Sequence, residues 1–157
     1  MKRKQIALCA LLLAFLLCAC GQKAPDPYTA ADAEALLSRE GLFNSELAPV
    51  DGDIAILVYG LDSVSVTEAV CYMAANTSVS ADELTVLILG DEEAAMAAEE
   101  ACRDRIAAQI AVCESYCPAA VPRLAGAVVS RIGNSVLLAV GDPDQLPAAV
   151  SALRGAG

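Results

Sequence analysis

The sequence predicts an α+β domain, and three segments carry that prediction. Residues 84–89 (Leu-Thr-Val-Leu-Ile-Leu) form a short apolar, β-forming run typical of a buried strand. Residues 91–117 predict one long helix. Its first turn holds three acidic residues (91–93), which the positive end of the helix dipole stabilises, and Pro118 stops it. The dipeptide Gly133-Asn134 predicts a tight hairpin turn between two further strands, since glycine adopts positive φ without strain.

The remaining elements follow in chain order. Thr29 and Asp32 form an approximate capping box for a helix over 30–39, and Gly41 lies just past its end. The other assignments are an irregular stretch at 42–50, a short helix at 53–59, a strand at 66–75, a loop at 76–82, strands at 127–132 and 135–140, and a last helix at 142–153. After the N-terminal helical segment the order is β-β-α-β-β-α. This order predicts a four-stranded, mainly antiparallel sheet with the long helix packed on one face.

Composition excludes several classes of function. The chain has 157 residues, the length of one domain, and it contains no His and no Trp. Ser-His-Asp catalysis, Cys-His catalysis and imidazole metal sites are therefore excluded. Twenty acidic residues against ten basic ones give a formal charge of −10, which disfavours nucleic acid as a partner because phosphate binding needs clustered Lys and Arg.

The first twenty residues predict a bacterial lipoprotein signal. Lys2, Arg3 and Lys4 precede a twelve-residue apolar run, too short for a membrane span of roughly 20 residues. The run ends in Leu17-Cys18-Ala19-Cys20-Gly21, which resembles a lipobox with Cys20 as the lipidated residue. The alternative is an ordinary secretory signal with unmodified cysteines.

Lipidation places the domain outside the cell. We predict a signal peptide at 1–19, a lipidated Cys20 with a tether to residue 28, and one domain over 29–157. Two acyl chains hold a protein stably on a bilayer, so the membrane is the first predicted partner and the extracytoplasmic face the location. Cleavage leaves 138 residues with seven basic and 20 acidic side chains, a charge of −13. Anionic lipid surfaces repel that charge, whereas a cationic partner is electrostatically favoured.

Four cysteines of the mature chain are candidate site residues, and three interpretations remain open. Cys102, Cys113 and Cys117 fall within about 60° on the apolar side of the predicted long helix. In the first interpretation these three thiols, and Cys71 on a strand, are small apolar residues of the core. Alternatively, Cys71 forms a disulfide with one helix thiol, since lipoproteins leave the reducing cytosol. A metal site at Cys113 and Cys117 is the third interpretation.

Other motifs do not support a catalytic, metal or cofactor site. Asp51-Gly52-Asp53 starts like a calcium loop, but Ala55, Ile56 and Asp62 stand at positions where that loop needs an oxygen ligand, Gly and Glu. Any two of twenty acids could be paired as acid and base, so such pairs carry no specificity. The sequence contains no Gly-rich phosphate loop and no Gly-x-Ser-x-Gly. We therefore predict no cofactor.

Several landmarks together resemble a family of small bacterial lipoproteins that carry a single domain of unknown function. They are the lipobox, Glu46-Leu-Ala-Pro-Val-Asp51, Val58-Tyr-Gly-Leu-Asp62, Ser80-Ala-Asp-Glu-Leu84 and Gly133-Asn-Ser-Val136. The resemblance covers nearly the whole mature chain, although family members often carry Tyr where this chain has Ser135. The family is common in anaerobic Gram-positive bacteria and implies no activity, so no catalytic residue is inherited.

Two classes of function follow from these observations. The first is a lipid-tethered, non-catalytic module that binds another envelope protein or helps an assembly. The second is a small-ligand binder or an enzyme acting through carboxylates or thiols, which requires a pocket with converging groups. Within the landmark segments, Tyr59 is expected to pack against the domain and Asp62 to cap a turn; a binding role for the two together is the alternative.

Overall fold

The computed structural model describes residues 25–63 and 65–154, so the predicted signal peptide and Cys20 lie outside the described residues. The described chain holds five α-helices, one 3₁₀ helix and five strands. The helices are α1 (Ala30–Leu37), α2 (Gly52–Tyr59), α3 (Glu92–Tyr116), α4 (Val121–Ala125) and α5 (Leu146–Ala152), with the 3₁₀ helix at Pro118–Ala120. The strands are β1 (Leu47–Val50), β2 (Val66–Ala74), β3 (Glu83–Leu89), β4 (Val128–Ile132) and β5 (Ser135–Val140).

The strands form one antiparallel sheet in the order β1-β2-β3-β5-β4. The predicted α+β class, the antiparallel sheet and the long helix packed on it are confirmed. The predicted count of four strands is wrong by one, because residues 47–50 were expected to be irregular. Pro49 in this segment lacks a backbone donor, and an edge strand such as β1 tolerates that loss.

The sheet separates two apolar clusters, one on each face. On one face α2, α3 and α4 cover alternate residues of the central strands, such as Leu87 and Leu138. On the other face α1 and α5 cover the intervening residues, such as Val86 and Leu137. Because both faces are covered, β5 is buried along its whole length and β3 along all of its residues except Ile88, and both read as apolar runs.

The long helix is longer than the strand it follows. Helix α3 has 25 residues and β3 has seven, which at their rises per residue correspond to about 37 Å and about 23 Å. The helix runs back along the sheet from Asp91, and its fully buried residues (Ala95, Ala98 and Cys102) belong to its first half. Its second half therefore extends past the ends of β2 and β3.

Local signals fix the ends of several elements. The backbone N–H of Thr29 donates to Asp32 Oδ2 at 2.8 Å, which confirms the capping box, although α1 ends at Leu37. Gly133 adopts φ +54° in the β4–β5 hairpin, as predicted. Helix α5 begins at Leu146 instead of 142, because Asp142 Oδ1 accepts the N–H groups of Asp144 and Gln145 and turns the chain first. Among the described residues, the helices are too short or too polar to span a membrane.

Gly141 marks a close approach that admits no side chain. A Cβ at this position would lie 2.7 Å from the carbonyl oxygen of Leu42, whereas at Gly90 the nearest atom would be 3.9 Å away. We expect Gly141→Ala to lower the free energy of unfolding by about 1–3 kcal/mol, since the backbone around residue 42 must shift. Urea denaturation of Gly141→Ala, with Gly90→Ala as the control, tests this. A Gly90→Ala variant as destabilised as Gly141→Ala would contradict it.

Candidate functional site

A cavity of about 400 Å³ lies beneath the overhanging half of α3. Helix α3 forms one wall, the C-terminal end of α2 another, and the ends of β2 and β3 with their connecting loop form the third. Most of the lining is apolar, with contributions from Val58, Met73, Ala108 and Val112. A few polar groups converge at the floor, which is the general composition of a ligand-binding pocket.

Glu83 is the centre of the cavity floor. As the first residue of β3 it is only 1% exposed, yet it carries a carboxylate. Arg105 from α3 holds that carboxylate with two nitrogens, Nε to Oε1 at 2.9 Å and Nη2 to Oε2 at 2.7 Å. The hydroxyl of Tyr59 donates to Glu83 Oε1 and lies 2.8 Å from Thr85 Oγ1. Burial of the charge is thus compensated by an ion pair and hydrogen bonds, as such a group requires.

Helical geometry explains why these side chains meet. Tyr59 is the last residue of α2, and Gly60 ends the helix in a left-handed conformation at φ +65°. Arg105 and Gln109 are four residues apart and therefore share one face of α3. The guanidinium of Arg105 also lies 5.3 Å from the centroid of the Tyr59 ring, within cation–π range.

Burial and the contacts with Glu83 shift the pKa values of two groups at the floor, Tyr59 and Arg105. Burial and the neighbouring Glu83 carboxylate hold the pKa of Tyr59 well above its usual value, so its hydroxyl stays protonated as a donor. Burial alone would lower the pKa of Arg105, but its hydrogen bonds and charge interaction with Glu83 outweigh that and raise it. The floor therefore carries one negative and one positive charge in direct contact.

Gln109 leaves one acceptor unused at the floor. Its Nε2 lies 3.5 Å from Glu83 Oε2, while its Oε1 is buried and has no hydrogen-bond partner among the described residues. A buried carbonyl without a donor costs roughly 1–3 kcal/mol. A rotation of the Gln109 side chain that lets a ligand's N–H or O–H group reach this oxygen would recover that free energy.

The preceding residue, Asp82, has its carboxylate bound by groups from a different part of the fold. Its carboxylate pairs with Arg123 of α4 through contacts of 2.6 Å and 2.8 Å, and it accepts the N–H of Asn44 at 2.7 Å. The same Arg123 donates to the carbonyl of Leu42 at 3.2 Å. Two adjacent buried acids are thus held by arginines from two different helices.

Comparison with known proteins identifies the domain. The profile of the family described as "Domain of unknown function (DUF4358)" matches residues 43–141, well over half of the chain. The chain belongs to this family. No curated protein and no solved structure shows significant similarity to it. The resemblance to a family with a domain of unknown function is thereby confirmed, whereas residues 17–21, which resemble a lipobox, lie outside the matched residues.

The DUF4358 match contains every residue that lines the cavity, from Val58 to Cys113. It leaves out α1 and α5, which cover the opposite face of the sheet. The cavity is therefore built entirely from the region that defines the family.

The structure places the four cysteines in two environments. Cys71 and Cys102 are buried in the core, while Cys113 and Cys117 are half-buried and all four are free thiols. Cys102, Cys113 and Cys117 all pack against the same apolar cluster, as expected, although α3 ends at Tyr116 and the backbone at Cys117 is no longer helical (φ −155°). Pro118 and the 3₁₀ helix that follows it account for the earlier end.

Burial controls the reactivity of these thiols. It raises the pKa of Cys71 to about 11 and that of Cys102 to about 12. It also raises the pKa of Cys113, whose neighbour Cys117 adds to the shift. Core thiols at 71 and 102 are thus the interpretation that the structure favours, while the disulfide and metal interpretations remain predictions.

Thiol accessibility can be measured directly. We expect a maleimide at pH 8, after reduction, to label Cys113 and Cys117 in the folded protein, and Cys71 and Cys102 only after unfolding in urea. Mass spectrometry of the labelled peptides gives the positions. Rapid labelling of Cys102 in the folded protein would contradict its place in the core.

Tyr59 and Asp62 have different surroundings. Tyr59 is buried and packs against the domain through the network described above. Asp62 has an exposed side chain, and its backbone carbonyl accepts hydrogen bonds from the N–H and hydroxyl of Ser65 in a turn. Asp51, considered for calcium, caps α2 by accepting the N–H of Asp53 at 2.9 Å.

Sequence reasoning missed Glu83, Arg105 and Gln109. An acid directly before an apolar run reads as the end of a loop, and an Arg and a Gln on a helix with many charges read as solvent-facing. The available signal was the four-residue spacing of Arg105 and Gln109 on the side of the helix that also carries Cys102 and Ile106.

Proposed function

We propose that this protein is a lipid-anchored, extracytoplasmic binding module that acts without catalysis. The observation that carries the proposal is the cavity beneath α3, with its apolar walls and a floor of polar groups bonded to one another. Such a site offers shape, apolar area and a few hydrogen-bonding positions, which are the requirements for recognition.

The chemistry of the floor argues against an enzyme. A general acid or base must exchange its proton with a substrate, but Glu83 is already bonded to Arg105 and Tyr59. A thiol nucleophile needs a lowered pKa, whereas the pKa of Cys113 at the edge of the cavity is raised by burial and by Cys117. These groups are suited to holding a ligand in place.

The anchor in this proposal rests on the lipobox at Cys20 and on the start of the folded domain. Tyr28 is buried, its N–H donates to Ser135 Oγ at 2.7 Å, and its ring lies 4.3 Å from the guanidinium carbon of Arg154. The domain is therefore fixed from Tyr28 onward. Eight residues from Cys20 to Tyr28 span at most about 28 Å, which would keep the domain close to the membrane.

The anchor can be tested by mass spectrometry of the protein purified from its own membranes. We expect a mature N-terminus at Cys20 carrying a diacylglyceryl group, and loss of membrane association in a Cys20→Ser variant. Cys18→Ser is the matched control and should leave lipidation unchanged. A protein that retains Met1, or carries no fatty acid, would overturn the anchored location.

Binding can be tested by crosslinking on intact cells through a photoreactive residue placed at Val58, on the wall of the cavity. We expect a specific envelope protein to be captured, and unlabelled purified protein to compete for it. The control places the same residue at Met96, an exposed position outside the cavity. Equal capture of abundant surface proteins from both positions would contradict a binding role for the cavity.

A small ligand is the second candidate occupant, and the size of the cavity favours it. About 400 Å³ lies within the range of pockets that hold small molecules. A small-ligand binder purified from its own cells would carry a molecule that native mass spectrometry detects. Detection of such a molecule, displaced by filling the cavity with Ala108→Phe, would favour this candidate over a protein partner.

A further inference from the structure

The exposed apolar side chains of the described residues are concentrated around the cavity. Five of the seven large ones lie on its two helical walls: Ile54, Leu57 and Val58 on α2, and Val112 and Tyr116 on α3. A sixth, Val79, belongs to the loop between β2 and β3, which forms the third wall. These six residues are called the apolar rim below. Grouped exposed apolar residues of this kind mark interaction surfaces.

The apolar rim extends beyond what a small molecule would cover. Val58 and Val112 line the cavity itself, whereas Ile54 and Tyr116 each lie one helical turn farther out, at spacings of four residues. The rim therefore continues along both helices on either side of the cavity. An elongated occupant, such as a helix laid across the cavity from α2 to α3, would cover it.

The charge of the domain determines what kind of helix fits. All 20 acidic residues lie in the described part of the chain against six arginines, a formal charge of −14. Five of those arginines are already held in ion pairs. Exposed acids stand beside the rim: Asp53 next to Ile54, and Asp104 one turn before the lining residue Ala108. An occupant bordered by Lys or Arg is therefore favoured.

The cavity floor also favours an occupant with basic side chains. The unused acceptor Gln109 Oε1 is buried there, close to the carboxylate of Glu83. A donor group must reach it for its hydrogen-bonding capacity to be satisfied. Because Oε1 is shielded from the cavity, the half-buried side chain of Gln109 must rotate to present it; a long basic side chain with its aliphatic stem against Val58 and Val112 can then donate to it.

We propose that the apolar rim and cavity bind a helical segment of a partner protein whose apolar face is bordered by Lys and Arg, with one basic side chain at Gln109. This inference rests on the proposed binding function and names the partner's chemistry. A phospholipid surface fits less well, because anionic headgroups are repelled by the acidic domain.

The test uses the mature, lipidated protein in nanodiscs of phosphatidylcholine, with empty nanodiscs as the baseline. The probes are three fluorescent peptides of about 16 residues, long enough to form a helix on binding. The first has a leucine stripe flanked by lysines, the second the same stripe flanked by glutamates, and the third a serine stripe flanked by lysines. Fluorescence anisotropy gives their affinities.

We expect the leucine–lysine peptide to bind about tenfold more tightly than either of the others, since it alone matches both apolar area and charge. Leu57→Asn, at a side chain that is 79% exposed, should weaken its binding about fivefold without changing the fold. Met96→Asn, on α3 about 24 Å from Val112 along the helix axis, is the matched control and should bind normally. Gln109→Met should weaken binding about threefold.

Four outcomes would overturn the inference. These are equal affinity for the glutamate peptide, unchanged affinity in Leu57→Asn or Gln109→Met, equal loss in Met96→Asn, and binding no greater than to empty nanodiscs. The last would mean that the peptide binds lipid alone. If the peptides fail to bind as expected, the tests of the fatty acid at Cys20 and of crosslinking from Val58 are unaffected. The proposed function is therefore judged independently of this inference.

Discussion

Replacing Arg105 with Met is expected to lower the free energy of unfolding by about 3–5 kcal/mol, because it leaves the Glu83 carboxylate buried without its countercharge. Glu83 is 1% exposed, and its carboxylate oxygens accept hydrogen bonds from Nε and Nη2 of Arg105. Methionine preserves most of the side-chain volume, so the loss reports the missing charge and hydrogen bonds. Urea denaturation, with comparison of midpoints and slopes, measures it.

A second substitution separates the charge from the packing. The double variant Glu83→Gln with Arg105→Met removes both charges, and we expect it to recover a large part of the lost stability. If the double variant were less stable than Arg105→Met alone, Glu83 would be contributing through contacts other than its pair with Arg105.

Arg123→Met is expected to cost a similar amount, about 3–5 kcal/mol, through the neighbouring acid. The side chain of Asp82 is fully buried, and Arg123 supplies two contacts to it at 2.6 Å and 2.8 Å. Arg123 also holds the carbonyl of Leu42, so its loss frees the segment that leads into β1. We therefore expect hydrogen exchange to increase at residues 42–50 in this variant.

Arg103→Met is the matched control for both substitutions. Arg103 lies on the same helix as Arg105 and pairs with Glu99 at 2.6 Å, but its side chain is 51% exposed. An exposed pair four residues apart contributes only about 0.3–0.5 kcal/mol. A loss in Arg103→Met comparable to that in Arg123→Met would show that burial does not set the size of these effects.

The sequence predicted most of the framework, because apolar patterning and turn chemistry are local. The apolar run at 84–89, the hairpin at Gly133-Asn134 and the stop at Pro118 each determine an element without reference to the rest of the chain. Strand β1 was not predicted; it contains Pro49, and a proline within a run argues against a strand unless the strand lies at an edge. Edge position is a property of the assembled sheet and cannot be read from the segment itself.

The candidate site was less predictable, because it depends on the relative lengths of α3 and β3 and on contacts between residues that are distant in sequence. The cavity exists because α3 extends past β3, and its floor joins Tyr59, Glu83 and Arg105 across 46 residues of chain. No local pattern indicates that an acid before a strand is buried. Tyr59 was expected to pack against the domain, yet only the fold reveals that it donates to Glu83.

The adjacent acids Asp82 and Glu83 also constrain how the central strand can be aligned. Although Asp82 and Glu83 are adjacent, their carboxylates meet different arginines, Arg123 of α4 and Arg105 of α3. Sliding β3 by one residue would present each acid to the wrong environment and leave two guanidinium groups stranded. Misaligned pairings of β3 with β2 and β5 would therefore cost electrostatic free energy as well as packing. Because the remaining residues of β3 are nearly all apolar, Asp82 and Glu83 are the residues that favour one register during folding.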